Sequence, residues 1–236
     1  MALQGEAGSK SPSRADVLAR YRRLREVALM HQCKAMAFLS GDAILHHARR
    51  LGMTTYGSAT NDNLDGLALP LDLAIYTAPG GRPRAIDRYA KSARFAPGTD
   101  QALVLDAMCN ASFAILSAER RHPSAGLICT DLLRDRDLWL VNEVVEKSAA
   151  KGSAFAARYF SPAGFAMMTG TPMPVDVHLL ASALEGEPQL LRKPCTEAIN
   201  DWRFAEAIYR AALAQAAAER DVRAFSVGIT RGRNSR

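Results

Sequence analysis

Leu127-Ile128-Cys129-Thr130 and Leu138-Trp139-Leu140-Val141 are two short runs of aliphatic, aromatic and β-branched residues. Two further runs of this kind lie at 154–160 and 165–168. Polar segments and turn residues such as Pro and Gly separate each run from the next, a spacing typical of antiparallel hairpins. The stretch from 112 to 175 therefore predicts a β meander of about four or five short strands.

Helical patterns occupy the chain on either side of this stretch. Residues 13–111 contain several segments with apolar residues three or four positions apart, and the same pattern returns in 176–220, most clearly from Thr196 to Arg220. A small sheet has a face and edges that must be covered. We therefore predict an α+β fold in which helices from both halves of the chain pack on a small central antiparallel sheet or barrel.

Length and composition favour one compact domain. The chain has 236 residues, and 48% of them are hydrophobic, which is enough to build a core. The predicted organisation is a flexible tail (1–12), a single domain (13–220) made of a helical part (13–111), a β meander (112–175) and a second helical part (176–220), and a mobile basic tail (221–236).

The composition also narrows the compartment and the partners. The formal net charge is +6, and a basic balance favours contact with nucleic acid, anionic lipid or acidic proteins. The four cysteines form no C-x-x-C pair, which argues against a zinc ribbon or a thioredoxin-type site and favours a reducing cytoplasm. Met1 to Ser11 lacks the apolar core of a signal peptide. Pro and Gly interrupt the least charged stretch, Tyr159 to Val175, so we expect no membrane-spanning segment.

One short motif, Asn61-Asp62-Asn63-Leu64-Asp65-Gly66, has the spacing of a calcium-binding EF-hand loop with Asp72 at the twelfth position. The first ligand is Asn instead of Asp, the twelfth is Asp instead of Glu, and Pro70 interrupts the loop. An Asx turn in which Asn63 caps the following helix explains the same residues, so we predict no metal site. Phosphate-loop, dinucleotide-binding and nucleophile-elbow motifs are missing, and we expect no cofactor.

His122, Asp131 and Glu143 are candidates for an acid–base site. All three lie on or beside the predicted sheet, where neighbouring strands can bring an imidazole and two carboxylates together. Asp131 lies in an otherwise apolar run, so its carboxylate should be paired or hydrogen-bonded. A turn or an ion pair with Arg134 accounts for Asp131 as well. Catalysis requires that the three side chains converge in one concave site.

Basic residues form the second candidate site, and they are concentrated in the first helix and in a short basic helix predicted at 83–95. The residues that we expect to contact a partner are Arg20, Arg23, Arg82, Arg84, Arg88, Lys91 and Arg94. Arginines along one helix face can follow the phosphates of a nucleic acid. A solvated basic surface explains the same residues without any partner.

Two functions therefore stay open from the sequence. The leading prediction is a non-enzymatic cytoplasmic binding or regulatory protein whose basic helical surface contacts nucleic acid or an acidic protein. The alternative is a small-molecule enzyme whose acid–base site, formed by Asp131, Glu143 and His122, lies between the sheet and the helices. The first function requires that the arginines cluster on one surface and that binding weaken with salt.

Overall fold

The structure is a computed structural model that describes residues 12–53 and 63–232, with the side chains of residues 12–53 and 67–218. Along the chain its elements are α1 (Arg14–Met36), α2 (Ala43–Arg50), α3 (Asn63–Tyr76), α4 (Ala85–Ser92), α5 (Asp100–Cys109), β1 (Ser112–Arg121), β2 (Leu127–Asp131), β3 (Arg136–Leu140), α6 (Glu143–Ser148), β4 (Ala154–Phe160), β5 (Met167–Met168), β6 (Met173–Pro174), α7 (Val177–Glu185), α8 (Pro188–Leu191), α9 (Cys195–Ala198) and α10 (Trp202–Gly232).

The strands within the described residues form one antiparallel sheet in the order β3-β2-β1-β4-β5, and β6 also pairs with β4. The sheet curls until its two ends meet. The amide of Val141 donates to the carbonyl of Ala166 (2.9 Å), and the amide of Ala166 donates to the carbonyl of Trp139 (2.7 Å). The predicted α+β fold, with helices from both halves of the chain on a small antiparallel sheet, is confirmed.

The order of the strands differs from the predicted meander, because β4 pairs with β1 and not with β3. The cause lies in the connection after β3, which we expected to be a polar link of hairpin length at 147–153. Residues 143–148 instead form helix α6. Asn142 caps this helix, and its side-chain oxygen accepts from the amides of Val144 and Val145 (both 3.0 Å). A helix between two strands allows the second strand to pair with a distant neighbour.

The side chains of β1 alternate between two cores, as a strand with two covered faces requires. Phe113 and Ile115 belong to a cluster that includes Leu179 of α7 and Ile208 of α10. Ala114 and its neighbours two residues along the strand belong to a cluster built mainly from sheet residues. The C-terminal helices therefore cover one face of the central strands.

The N-terminal helices build a third cluster. Leu24 of α1, Ile86 of α4 and Met108 of α5 are fully buried in it, together with Met167 of β5. Apolar residues from opposite ends of the chain thus enclose the sheet, and the two helical groups meet at its edge near the end of α3.

The last helix is longer than predicted. We expected a helix to end near Arg220 and a mobile tail to follow, but α10 continues to Gly232. The sequence after position 220 contains no proline before the helix ends, so nothing in the backbone stops it. Residues 1–11 of the predicted N-terminal tail, and 233–236 at the other end, lie outside the described residues. Within the described part of the chain, no helix combines the length and the apolar character needed to cross a membrane.

A basic cleft as the candidate functional site

Asp131, the first acid–base candidate, lies at the end of β2 and is completely buried. One carboxylate oxygen accepts from Arg134 (3.1 Å) and from the hydroxyl of Tyr159 (3.2 Å), while the other accepts from the amide of Leu133 (3.1 Å). Arg136 is 3.9 Å away. The hydrogen bonds and charges around this carboxylate come from its own structural neighbours, as expected for a residue that anchors a turn.

His122 lies at the opposite end of the same hairpin. The pairing of β1 with β2 places Leu116 across from Asp131 and Arg121 across from Leu127. Asp131 is therefore separated from the residues beside His122 by the length of β2, four residues or roughly 13 Å at the rise of an extended strand. The distance is far beyond hydrogen-bond reach.

Glu143 lies in a third place, at the start of α6, where it forms a two-pronged ion pair with Arg22 of α1 (2.9 Å for each contact). That guanidinium lowers the pKa of Glu143. The ring of His122 stacks on Trp139 with 3.9 Å between centroids, and burial lowers the pKa of His122. The structure thus does not bring His122, Asp131 and Glu143 together.

The predicted basic residues divide into three groups. On α1, Arg20 and Arg23 both contact the carboxylate of Asp100, at 2.7 and 2.5 Å. One acid at the start of α5 therefore neutralises part of the charge that the first helix presents. These two arginines fasten α1 to α5.

The second group lies on the outer side of α4, where Arg88, Lys91 and Arg94 are exposed. The guanidinium of Arg88 donates to the carbonyl of Phe38 after α1. Arg94, two residues after the end of α4, donates to the carbonyl oxygens of Lys91 and Ala93 (2.9 and 2.8 Å). Both arginines donate to carbonyl oxygens near helix ends, and their charge remains at the surface.

The third group, Arg82 and Arg84, lines a cleft of about 600 Å³. We call it the basic cleft. It is lined by the loop 77–84 after α3, by the segment 193–205, and by residues 111–113 with Arg158 of β4, which we call the floor. Segments from both helical parts and from the sheet thus meet at one site.

Charge is unevenly distributed in the basic cleft. Among the described residues its lining holds five cations and two carboxylates, which are Arg82, Arg84, Arg158, Lys193, Arg203, Asp87 and Asp201. Arg84 pairs with Asp87 (2.7 Å), and Lys193 and Arg203 share Asp201 (2.5 and 2.8 Å). The hydrogen bond from Arg203 lowers the pKa of Asp201, so this carboxyl stays ionised. Arg82 is exposed and forms no ion pair with any described residue.

Arg158 is the buried cation of the floor, with 6% of its side chain exposed. Its Nε donates to both oxygens of Asp72 (3.1 and 3.0 Å), and its Cζ lies 5.3 Å from the centroid of the Tyr76 ring and 5.7 Å from that of the Phe113 ring. Its Nη2 has no hydrogen-bond partner among the described residues. A buried donor of this kind is uncommon in folded proteins, because its lost hydration is not replaced.

Asp72 fixes the orientation of the Arg158 guanidinium by accepting hydrogen bonds from its Nε. Its carboxylate also accepts from the hydroxyl of Thr169 (2.8 Å) and from the hydroxyl of Tyr209 (3.2 Å). Burial raises the pKa of Tyr209 well above its ordinary range, so the phenol remains a donor. A carboxylate with this many donors holds the guanidinium in one place, with the Nε edge turned toward Asp72.

Arg158 was not among the predicted site residues. It lies in the run Ala154 to Phe160, whose apolar residues indicated only a strand. A single arginine among apolar strand residues is itself a signal, because a buried charge needs a partner. We considered Asp72 only as the last ligand of a calcium loop. Residues 61–62 of that loop lie outside the described residues, and the carboxylate of Asp72 is engaged by Arg158. In the described part of the chain no three His, Cys, Asp or Glu side chains gather as metal ligands.

The fold and the site define an α+β protein with a cationic cleft between its two helical parts. No protein-family model, no curated protein and no solved structure matches the chain. The geometry of the basic cleft is therefore the basis on which a function can be inferred.

Proposed function

We propose that this protein is a non-enzymatic binding protein that holds an anionic group of its partner in the basic cleft. The observation that carries the proposal is the excess of cations over carboxylates in one concave site, with Arg82 left unpaired among the described residues. Concave walls of low dielectric concentrate such a field and attract anions. Nucleic acid and acidic proteins, the two partner classes predicted from the sequence, both present groups of the right charge.

The cleft replaces the helical surface as the centre of the proposed interface. Arg20 and Arg23 share Asp100, and Arg88 and Arg94 donate to backbone carbonyls. Each of these four side chains must give up a contact to bind a partner, whereas Arg82, which forms no ion pair with any described residue, does not. Only Arg82 and Arg84, of the seven basic residues predicted from the sequence, line the basic cleft.

The cytoplasm is the compartment that we propose. All four cysteines, which fall in the described part of the chain, are unpaired, and Cys33 and Cys195 are exposed. Free exposed thiols persist in reducing compartments and are oxidised or paired elsewhere. The unpaired exposed cysteines therefore support a reducing environment.

The proposal is tested by fluorescence anisotropy with a labelled single-stranded oligonucleotide and with labelled polyglutamate, each titrated at several salt concentrations. We expect binding to at least one probe, weakening steeply with salt. Arg82→Ser should reduce the affinity about fivefold to tenfold, the effect of one charge-assisted contact. Arg94→Ser is the matched control, because it removes one exposed arginine from the outer side of α4.

The outcomes separate three possibilities. A larger loss with Arg82→Ser than with Arg94→Ser supports the basic cleft. A larger loss with Arg94→Ser moves the interface to the outer side of α4 and contradicts the proposed site. Absence of salt-dependent binding to both probes contradicts the function itself.

A further inference from the structure

The basic cleft has donors on several sides. Arg82 and Arg84 come from the loop 77–84, Lys193 and Arg203 come from the segment 193–205, and Arg158 comes from the floor. A planar carboxylate uses donors that approach in one plane, whereas a phosphate accepts through three terminal oxygens that point in different directions. The arrangement of donors therefore favours a tetrahedral oxyanion.

The net charge of the basic cleft also favours a tetrahedral oxyanion. Arg158 is paired with Asp72, Arg84 with Asp87, and Asp201 is shared by two cations. Five cations thus face three carboxylates, which leaves two positive charges unmatched among the described residues. A phosphomonoester carries a charge approaching −2 at neutral pH, and it matches this excess.

The unpartnered Nη2 of Arg158 is the second, independent observation. Asp72 holds the Nε edge of the guanidinium, and the rings of Tyr76 and Phe113 lie beside it, 5.3 and 5.7 Å from its Cζ to their centroids. The side chain therefore cannot turn to find another acceptor without breaking these contacts. Nη2 is itself buried, so a ligand oxygen becomes its acceptor only when the guanidinium shifts toward the cleft, which Arg158 lines.

We propose that the floor of the basic cleft binds the phosphate of a phosphomonoester, with Arg158 and Arg82 as the groups that recognise it. The inference rests on the proposed function and specifies its ligand. Two sources can provide this chemistry, a free phosphorylated small molecule and the 5′-terminal phosphate of a nucleic acid. Both sources would place the same phosphate group in the cleft.

Trp202 provides a reporter of occupancy. It lines the basic cleft, and the guanidinium of Arg203 lies 5.8 Å from the centroid of its ring. The second of the two tryptophans, Trp139, stacks on His122 at the β1–β2 hairpin. A fluorescence change that disappears in Trp202→Phe but persists in Trp139→Phe therefore comes from the cleft.

The experiment uses the full-length protein and inorganic phosphate, with acetate at the same ionic strength as the comparison. We expect phosphate to change the Trp202 fluorescence and to raise Tm in a saturable way, while acetate at the same ionic strength does neither. The affinity for phosphate should be higher at pH 7.5 than at pH 5.5, because inorganic phosphate, like a phosphomonoester, gains its second negative charge as the pH rises across this range. The gain in Tm follows the mass action of a ligand that binds only the folded protein.

Three variants test the residues. Arg158→Lys keeps a cation beside Asp72 but removes the forked donor, and we expect the affinity for phosphate to fall about tenfold or more. Arg82→Ser should weaken binding by a similar factor without disturbing the fold, because Arg82 is exposed, and it keeps the test valid if Arg158→Lys does not fold. Arg94→Ser should bind phosphate as the unaltered protein does.

Equal responses to phosphate and acetate, or an affinity for phosphate that is unchanged in Arg82→Ser, would overturn the inference. The second result would mean a general salt effect on stability. If oligonucleotide binding still depended on Arg82 in that case, the proposed function would stand without the phosphate site. Tighter binding of a 5′-phosphorylated oligonucleotide than of its unphosphorylated form supports a nucleic-acid end as the source, and equal binding of the two, with phosphate still bound, supports a small molecule.

Discussion

His31 shows how a single buried side chain makes the stability of this protein depend on pH. Its ring lies in the N-terminal core with no exposed surface. Nε2 is 2.9 Å from the carbonyl oxygen of Gln101, which can only accept, so Nε2 carries the proton. Nδ1 then accepts from the hydroxyl of Tyr89 at 2.9 Å. The imidazole is neutral, and burial lowers its pKa.

We predict that the free energy of unfolding decreases as pH falls from 7 to 5. Since the pKa of His31 is lower in the folded protein than in the unfolded chain, the unfolded chain takes up the proton first. The stabilisation is complete above the unfolded pKa and is lost below it, with a slope of at most about 1.4 kcal/mol per pH unit. Urea unfolding at several pH values measures it. His31→Gln should flatten the profile, and parallel profiles for the two proteins would contradict the assignment.

At the scale of single residues, the sequence predicts the partner of a buried charge where the two residues are close in the chain. The carboxylate of Asp131 was expected to need a partner, and Arg134, three residues later, is one. Arg158 and Asp72 are 86 residues apart, and nothing local to either residue indicates the other. The sequence therefore indicates that a buried charge must be paired, but the fold decides with what.

At the scale of the elements, local patterns predicted the strands but not their order. Alternation and turn residues are properties of neighbouring positions, and the runs from 127 to 168 form β2, β3, β4 and β5. Which strands pair depends on the connection between them. The six residues of α6 lie between β3 and β4, and β4 pairs with β1. A helix this short gives a weak periodic signal, so its effect on topology could not be predicted.

Gly126 fixes the turn between β1 and β2, and we predict that Gly126→Ala lowers the free energy of unfolding by about 3 kcal/mol or more. Its φ is +80°, and an added Cβ would lie 2.2 Å from the carbonyl oxygen of Leu140 on β3. Gly152 is the matched control, because its φ is +79° but an added Cβ meets no atom within 4 Å. Gly152→Ala should cost only about 1 kcal/mol for the unfavourable φ. Equal losses in urea unfolding would show that the contact with Leu140 is unimportant.

For the molecule as a whole, the carboxylate of Asp72 connects parts that are distant in the chain. Asp72 belongs to α3 of the N-terminal helical part, Arg158 to β4, and Tyr209 to α10. Thr169, just after β5, completes the group. The same contacts that hold Arg158 at the floor of the basic cleft therefore join both helical parts to the sheet, and the proposed site lies where the three meet.

We predict that Asp72→Asn lowers the free energy of unfolding by about 3–5 kcal/mol, because it leaves the buried guanidinium of Arg158 without a charged partner. Asn keeps the shape but has a single acceptor oxygen, so it can accept from Thr169 or from Tyr209 but not from both, and the loss reports the missing charge together with one lost hydrogen bond. Asp106→Asn is the control, since Asp106 is exposed and pairs with no described cation. Far- and near-ultraviolet circular dichroism during urea unfolding should change together, as expected if the network joins one cooperative unit.

The double variant Asp72→Asn/Arg158→Met should recover part of the loss, because it removes the unpaired charge. If Asp72→Asn behaved like Asp106→Asn, or if the two spectra changed at different urea concentrations, the network would not be what holds the helical parts on the sheet.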